Sequence, residues 1–130
     1  TGAFIAPDGY FYVDDQEGDD AGYFTTVQMM GPLTSPAGKT INPDKIFMRT
    51  VGGTGATLIT GTANPRVEIH SNMTSRQNLQ FARTFLLRNV AANDGIVGKY
   101  GTLPELRVDI PGYQAIGNYT GMMVLTLFDL

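Results

Sequence analysis

The sequence predicts an all-β protein: an antiparallel sandwich of two sheets, with about seven to nine strands and an N-terminal extension strand. Three observations favour this class. Charged residues make up only 16% of the chain, and sixteen glycines and seven prolines divide it into short segments. Several segments alternate apolar and polar residues, which is the period of a half-buried strand. The length of 130 residues fits one domain with a hydrophobic core of its own.

Alternation is clearest in two segments. In residues 66–70, Val67 and Ile69 are predicted to face inwards while their neighbours face solvent. In the segment 105–110, the residues predicted to face inwards are Leu106, Val108 and Ile110. The remaining strands are predicted at 3–6, 10–13, 22–30, 45–51, 57–62, 80–90 and 96–100, followed by a C-terminal strand within 118–130.

Residues 74–92 allow two interpretations. As a helix, the segment would carry an apolar stripe formed by Leu79, Ala82, Leu86 and Val90. A strand at 80–90, closed by the turn signal Asn-Asp-Gly at 93–95, is the favoured interpretation. The helix remains the alternative.

Composition and motifs argue against several functions. The net charge is −3 and the basic residues are scattered, so no nucleic-acid partner is expected. The chain has no cysteine, which excludes disulfides and thiolate metal sites. No apolar stretch approaches the ~18 residues of a membrane-spanning helix, so membrane insertion is not expected. With His70 as the single histidine and no G-x-S-x-G motif, the sequence predicts neither an enzyme nor a cofactor.

An acidic run at residues 14–20 is the strongest charge feature of the chain. Its carboxylates are Asp14, Asp15, Glu17, Asp19 and Asp20. Closely spaced carboxylates could hold Ca²⁺, but the spacing does not match the twelve-residue EF-hand loop, in which Gly is sixth and Glu twelfth. The favoured interpretation is a solvated hinge loop at 14–21, without a metal, that links an N-terminal segment to the body.

Two sequons, Asn72-Met-Thr and Asn118-Tyr-Thr, match the N-glycosylation pattern. Both are short enough to arise by chance in a chain rich in Thr and Asn. They mark Asn72 and Asn118 as candidate glycosylation sites.

The C-terminal strand is apolar on both of its faces. One face carries Tyr119, Met123, Leu125 and Leu127 together with Gly121. The other carries Thr120, Met122, Val124, Thr126, Phe128 and Leu130. A half-buried strand would have one polar face. One face is therefore expected to fill the sandwich, and the other needs a cover, which could be a loop or another subunit.

The C-terminal pattern is an alternating strand, a break at Ile-Pro, a G-x-Y-T-G turn and a closing strand. It resembles the last two strands of secreted bacterial β-sandwich surface proteins, among them pilin-like subunits. The matching residues are Ile110, Pro111, Gly117, Tyr119, Thr120, Gly121, Leu125 and Leu127. The resemblance covers about a fifth of the chain, and it implies an Ig-like or pilin-like sandwich with a structural role.

What this resemblance implies is a homopolymer that assembles by donor-strand complementation, in which one subunit completes the sheet of the next. The candidate donor strand is the apolar segment 1–13, with Phe4, Ile5, Tyr10, Phe11, Tyr12 and Val13. The acceptor groove or closing strand is expected at Met122, Met123, Val124, Leu125, Leu127 and Phe128, within a body that spans 22–130. Whether the donor packs on its own body or on a neighbour is left open.

The expected location is extracellular, at a cell surface, and the start Thr-Gly-Ala suits the mature side of a signal-peptide cleavage. Two other functions remain open. One is a monomeric surface module that binds a carbohydrate or a host protein. The other is a structural component of a viral coat or tail.

Overall fold

The computed structural model describes residues 2–5, 10–15, 22–50, 57–61, 67–88 and 98–129. These residues form an all-β, sandwich-like fold of antiparallel sheets, with two short 3₁₀ helices at Pro43–Lys45 and Ser71–Thr74. The predicted fold class is confirmed.

Thirteen strands lie within the described residues. They are β1 (Gly2–Ile5), β2 (Phe11–Asp15), β3 (Tyr23–Met29), β4 (Leu33–Thr34), β5 (Thr40–Ile41), β6 (Ile46–Thr50), β7 (Thr57–Gly61), β8 (Val67–Ile69), β9 (Gln77–Asn78), β10 (Arg83–Arg88), β11 (Gly98–Thr102), β12 (Pro104–Val108) and β13 (Met123–Asp129). This exceeds the predicted number, chiefly because β4, β5 and β9 have two residues each. A strand that short shows no period in the sequence.

The strands form three sheets and one small hairpin. The first sheet has the order β1-β2-β11-β7, and the second has the order β13-β3-β10-β8. A third, smaller sheet has the order β12-β6-β9, and β4 pairs with β5. Neighbouring strands are antiparallel throughout.

The core lies between the inner faces of these sheets. Strand β3 alternates strictly between buried and half-buried residues, as the period of two requires. In the first sheet, Phe11 extends from β2 towards Phe85 of β10 in the second sheet. Their ring centroids are 5.7 Å apart at 73°, an edge-to-face contact that joins the two sheets.

The favoured strand at 80–90 is confirmed as β10, and the helical alternative is wrong. The segment is divided by the end of the second 3₁₀ helix and by β9. Leu79 and Leu86 are both fully buried, but they reach the core from a turn after β9 and from β10, not from one helix face. The apolar spacing that suggested a helix arises from two separate elements.

Two boundaries differ from the sequence-based expectation. Strand β2 continues through Asp15, so Asp14 and Asp15 belong to a strand rather than to the start of the acidic loop. The closing strand begins at Met123 rather than near residue 118. In the residues before it, Thr120 forms an isolated backbone bridge with Thr34 of β4.

The sequence predicts that Leu106, Val108 and Ile110 face inwards, which implies that they are buried. They are not buried: the three residues are 51%, 38% and 69% exposed. Leu106 lies opposite Met48, and Val108 opposite Ile46, both buried residues of β6. Side chains that are directly opposite share a face. The β12 residues are therefore on the core side of their sheet, but they lie beyond the part of the core that other elements cover.

Candidate assembly surfaces

The N-terminal strand β2 is hydrogen-bonded along both of its edges. One edge pairs with β1 and the other with β11. On the β11 side, Tyr12 lies opposite Gly101, Val13 opposite Tyr100, and Asp14 opposite Lys99. Strands β1 and β2, which contain most of the described residues of the candidate donor segment, are thus part of the first sheet of their own chain.

The side chains of β2 are buried on both faces. Phe11 and Val13 lie in the core, and Tyr12 is buried on the opposite side of the strand. Tyr12 is accommodated because its cross-strand neighbour is a glycine: a Cβ at Gly101 would lie 2.8 Å from Tyr12 Cδ1. Lys99 Nζ lies 4.5 Å from the centroid of the Tyr12 ring, a cation–π distance.

The other predicted donor residues flank this strand. Phe4 and Ile5 belong to β1, where their backbones pair with Tyr12 and Phe11. Tyr10 precedes β2, is half-buried, and has its ring centroid 6.1 Å from that of Tyr12. All six residues therefore lie in β1, in β2 or immediately before β2.

The closing strand β13 pairs along its whole length with β3. Met123, Leu125 and Leu127 pack against the core, and each is half-buried. On the outer face, Val124 is half-buried and Phe128 is 43% exposed. The ring of Phe128 stacks on Phe24 of β3, with centroids 4.6 Å apart at 12°.

Strand β13 lies at the edge of its sheet, and Met122, just before it, is exposed. Within the described residues no strand pairs with its second edge. An apolar edge strand with a partly exposed outer face is a surface to which another strand can be added.

A second apolar edge, which the sequence did not indicate, lies at β12. This strand pairs with β6 alone among the described strands. Its exposed Leu106 and Val108 continue into a loop that carries the exposed side chains of Ile110, Tyr113 and Ile116. The alternation of the sequence identifies the apolar side of β12, but it carries no signal that this side lacks a cover.

The loop after β12 is held in place by side-chain hydrogen bonds. Gln114 Nε2 donates to Thr40 O at 3.2 Å and to Tyr119 Oη at 2.7 Å. The Tyr119 hydroxyl in turn donates to Ala115 O at 2.7 Å. The exposed apolar side chains of the loop are therefore carried on an ordered backbone.

The polar face of β12 is an ion-pair cluster. Arg49 Nη2 lies 3.0 Å from Oε1 and 3.1 Å from Oε2 of Glu105, and Arg76 Nη2 lies 3.2 Å from Oε1. Hydrogen bonds from Arg49, and next from Arg76, lower the pKa of the Glu105 carboxyl below its ordinary value of 4.5. A carboxylate held in this way is suited to an ion pair and not to donating a proton.

The five carboxylates of the acidic run fall in two groups. Asp14 and Asp15 are in β2, whereas Glu17, Asp19 and Asp20 lie outside the described residues. Among the residues that the structure describes, no three His, Asp or Glu side chains come together as a metal site.

Both candidate glycosylation residues are exposed. Asn72 lies in the second 3₁₀ helix, and Asn118 lies in the loop before β13. Both side chains are therefore accessible from solvent, as N-glycosylation requires.

No family model, curated protein or solved structure matches the chain. In the described part of the molecule, no helix has the length and apolar character needed to cross a membrane.

Proposed function

We propose that the chain is the structural subunit of an extracellular, pilus-like filament, and that copies associate by exchanging the N-terminal hairpin of β1 and β2. The observation that carries this proposal is the position of β2. It comes from one end of the chain, yet it lies between two strands and contributes buried side chains. A body without residues 1–15 would have an open β11 edge and an uncovered apolar groove.

The contacts within one chain define the groove that a neighbour would fill. If the same hairpin comes from another copy, β2 makes the same hydrogen bonds to β11, and Phe11 makes the same ring contact with Phe85. Main-chain hydrogen bonds supply strength, while Phe11 and Val13 occupy pockets on one face. The exchange therefore forms no new kind of contact. It requires only that the hairpin leaves its own body and binds to the body of another copy.

Symmetry favours an open chain of subunits. In the sequence, acidic residues after β2 separate the apolar hairpin from the body. A hairpin given to the next copy and received from the previous one makes a head-to-tail contact, which produces a filament when it does not close into a ring. The extracellular location is part of this proposal and rests on the resemblance of the C-terminal strands.

Paired cysteines test whether the hairpin is exchanged, because the natural chain has none. Asp14 and Lys99 are opposite each other in β2 and β11, so their Cα atoms are about 4.5–5.5 Å apart, within the range of a disulfide. In the double variant with Asp14→Cys and Lys99→Cys, oxidation should yield a covalent ladder on a non-reducing gel. Mixing the two single variants should yield covalent dimers.

A control pair lies inside the body, where no exchange is expected. Thr26 of β3 and Thr126 of β13 are also opposite each other, and Thr26→Cys with Thr126→Cys should give only a disulfide within one chain. If the Asp14 and Lys99 pair behaves in the same way, the exchange of the hairpin is wrong. Electron microscopy of the ladder distinguishes filaments from the closed shells that a coat protein would form.

A further inference from the structure

A small cavity lies where the second 3₁₀ helix, β9 and the start of β10 meet. Its volume is about 180 Å³. Met73 and Ala82 line it together with polar side chains from three elements: His70, Gln77, Arg83 and Thr84. Asn72 completes the lining.

Arg83 is held in one orientation in this cavity. Its Nε donates to Asn78 O at 2.8 Å, and its Nη2 donates to Asn78 Oδ1 at 3.2 Å. The guanidinium carbon also lies 5.7 Å from the centroid of the Phe81 ring. In the described part of the chain, these contacts leave Nη1 without a hydrogen-bond acceptor. A planar, always charged group fixed in this way is suited to a carboxylate ligand.

His70 supplies a second donor. Its Nδ1 accepts a hydrogen bond from the backbone N–H of Asn72 at 3.2 Å, which caps the 3₁₀ helix. A neutral imidazole that accepts at Nδ1 carries its proton on Nε2. The ring therefore offers an N–H to a ligand and not a lone pair, so the two lining groups with fixed donors both favour an acceptor.

The charge and the size of the cavity limit the kinds of ligand that it can bind. Among the described residues that line the cavity, Arg83 is the one permanently charged residue, and none carries a carboxylate. The volume equals that of about six molecules of liquid water, which fits one small ring and not an extended chain. The Asn72 amide and the Thr84 hydroxyl can both donate to and accept from sugar hydroxyls. Gln77 adds an acceptor, its amide oxygen, because its Nε2 already donates to Asn72 O and Ser75 Oγ, each at 3.2 Å.

We propose that this cavity binds a single acidic sugar residue, with its carboxylate on Arg83 and His70 and its hydroxyls on the amide and hydroxyl side chains. The inference goes beyond the filament proposal and does not depend on it. A filament subunit with such a cavity would present it once per copy, and the resulting multivalency would strengthen weak binding to a surface rich in acidic sugars.

Titration of the full chain tests the inference, using amide chemical shifts in NMR spectra and D-glucuronate as the probe. We expect shifts centred on residues 70–73, 77 and 82–84. Neutral D-glucose and inorganic sulfate should each bind at least about tenfold more weakly than glucuronate, because each lacks one half of the recognised chemistry. Arg83→Gln should weaken glucuronate binding about tenfold, and His70→Ala by a smaller factor.

Two further variants keep the test decisive. Arg76→Gln removes an arginine outside the cavity and should leave the affinity unchanged. Ala82→Trp fills the cavity from an exposed position without removing a hydrogen bond, so it should abolish binding even if Arg83→Gln unfolds the chain. Equal binding of sulfate would mean a simple anion site and would overturn the sugar assignment. Equal binding of glucose, or no binding of glucuronate, would also overturn the inference.

Discussion

Strands β2 and β13 lie near opposite ends of the chain and are similarly apolar, but they occupy different positions in the fold. Strand β2 is an interior strand between β1 and β11, whereas β13 is an edge strand that pairs with β3 alone among the described strands. Phe11 of β2 is 3% exposed, and Phe128 of β13 is 43% exposed. The position in the strand order, and not the apolar content of the strand, decides how much surface is removed from water.

The comparison also assigns different roles to the two ends. Burial on both faces means that the fold depends on β2, whichever copy supplies it. Partial exposure means that β13 can lose outer-face side chains at small cost to folding. If matched substitutions in β2 and β13 lowered the free energy of unfolding equally, the basis for treating the N-terminal hairpin as the exchanged element would be removed.

The largest expected effect is that of Phe11→Ala. It should lower the free energy of unfolding by about 3–5 kcal/mol, because it leaves a cavity opposite Phe85. Phe128→Ala, the matched variant, should cost about 1 kcal/mol, since it loses one exposed stacking contact with Phe24. Urea denaturation followed by circular dichroism measures both values, and similar losses would contradict the comparison.

The same measurement repeated over a range of protein concentrations sharpens the result. If a neighbour supplies Phe11, the stability of the wild-type chain rises with concentration, by mass action. With a hairpin that packs on its own body, the midpoint stays constant.

A smaller difference in the free energy of unfolding is expected between alanine substitutions at two glycines, one beside each strand. At Gly101, a Cβ would lie 2.8 Å from the buried Tyr12 ring and 3.3 Å from the backbone oxygen of Phe11. At Gly121, just before β13, it would lie 2.7 Å from Leu33 Cδ2 and 3.1 Å from Met29 Cε, the flexible ends of two side chains. We expect Gly101→Ala to cost about 1–3 kcal/mol and Gly121→Ala to cost less.

Gly112→Ala is the control for this pair, because a Cβ there meets no atom within 4 Å. Thermal denaturation of the three variants gives the ranking. If Gly121→Ala is the most damaging of the three, the loop before β13 is packed more rigidly than the interior of the first sheet.

The longer strands could be predicted from the sequence. Whether another element packs on the apolar side of each strand could not. Alternation in residues 66–70 and 105–110 identified β8 and β12 correctly, because a period of two is a local property. Whether a third element covers Leu106 depends on distant parts of the chain, which no local pattern encodes. For the same reason, nothing in the sequence indicated that β2 would pair with β11 or that Gly101 would make room for Tyr12.

The cavity at Arg83 was also beyond sequence reasoning. Its polar side chains come from the second 3₁₀ helix, β9 and β10, and they converge only after the stretch 74–92 folds into separate short elements. His70 was recognised as the single histidine, but its hydrogen bond to Asn72 depends on the local backbone. Spacing alone therefore indicated neither a site nor a ligand.

The smallest expected effect concerns β12, a third strand, whose apolar side is exposed. The ion pairs of Glu105 on its polar face are expected to stabilise the position of this strand. The pKa of Glu105 is lowered in the folded chain, so the unfolded chain binds its proton more readily. The stabilisation by this carboxylate is therefore fully present above pH 4.5, the ordinary value, and is lost as the pH falls through the lowered pKa. Glu105→Gln should be less stable than the wild type at neutral pH, and the difference should shrink in acid.

Denaturation of both proteins at several pH values measures this difference, and 1 M salt should reduce it, because the pair is partly exposed. When the Glu105→Gln comparison is repeated in a chain with Arg49→Gln, the stability difference should depend less on pH than in a chain with Arg76→Gln. The reason is that Arg49 is the main cause of the lowered pKa of Glu105. A difference that stays constant from neutral pH into acid would show that the ion pairs do not hold β12. The strand would then depend on its backbone pairing with β6 alone.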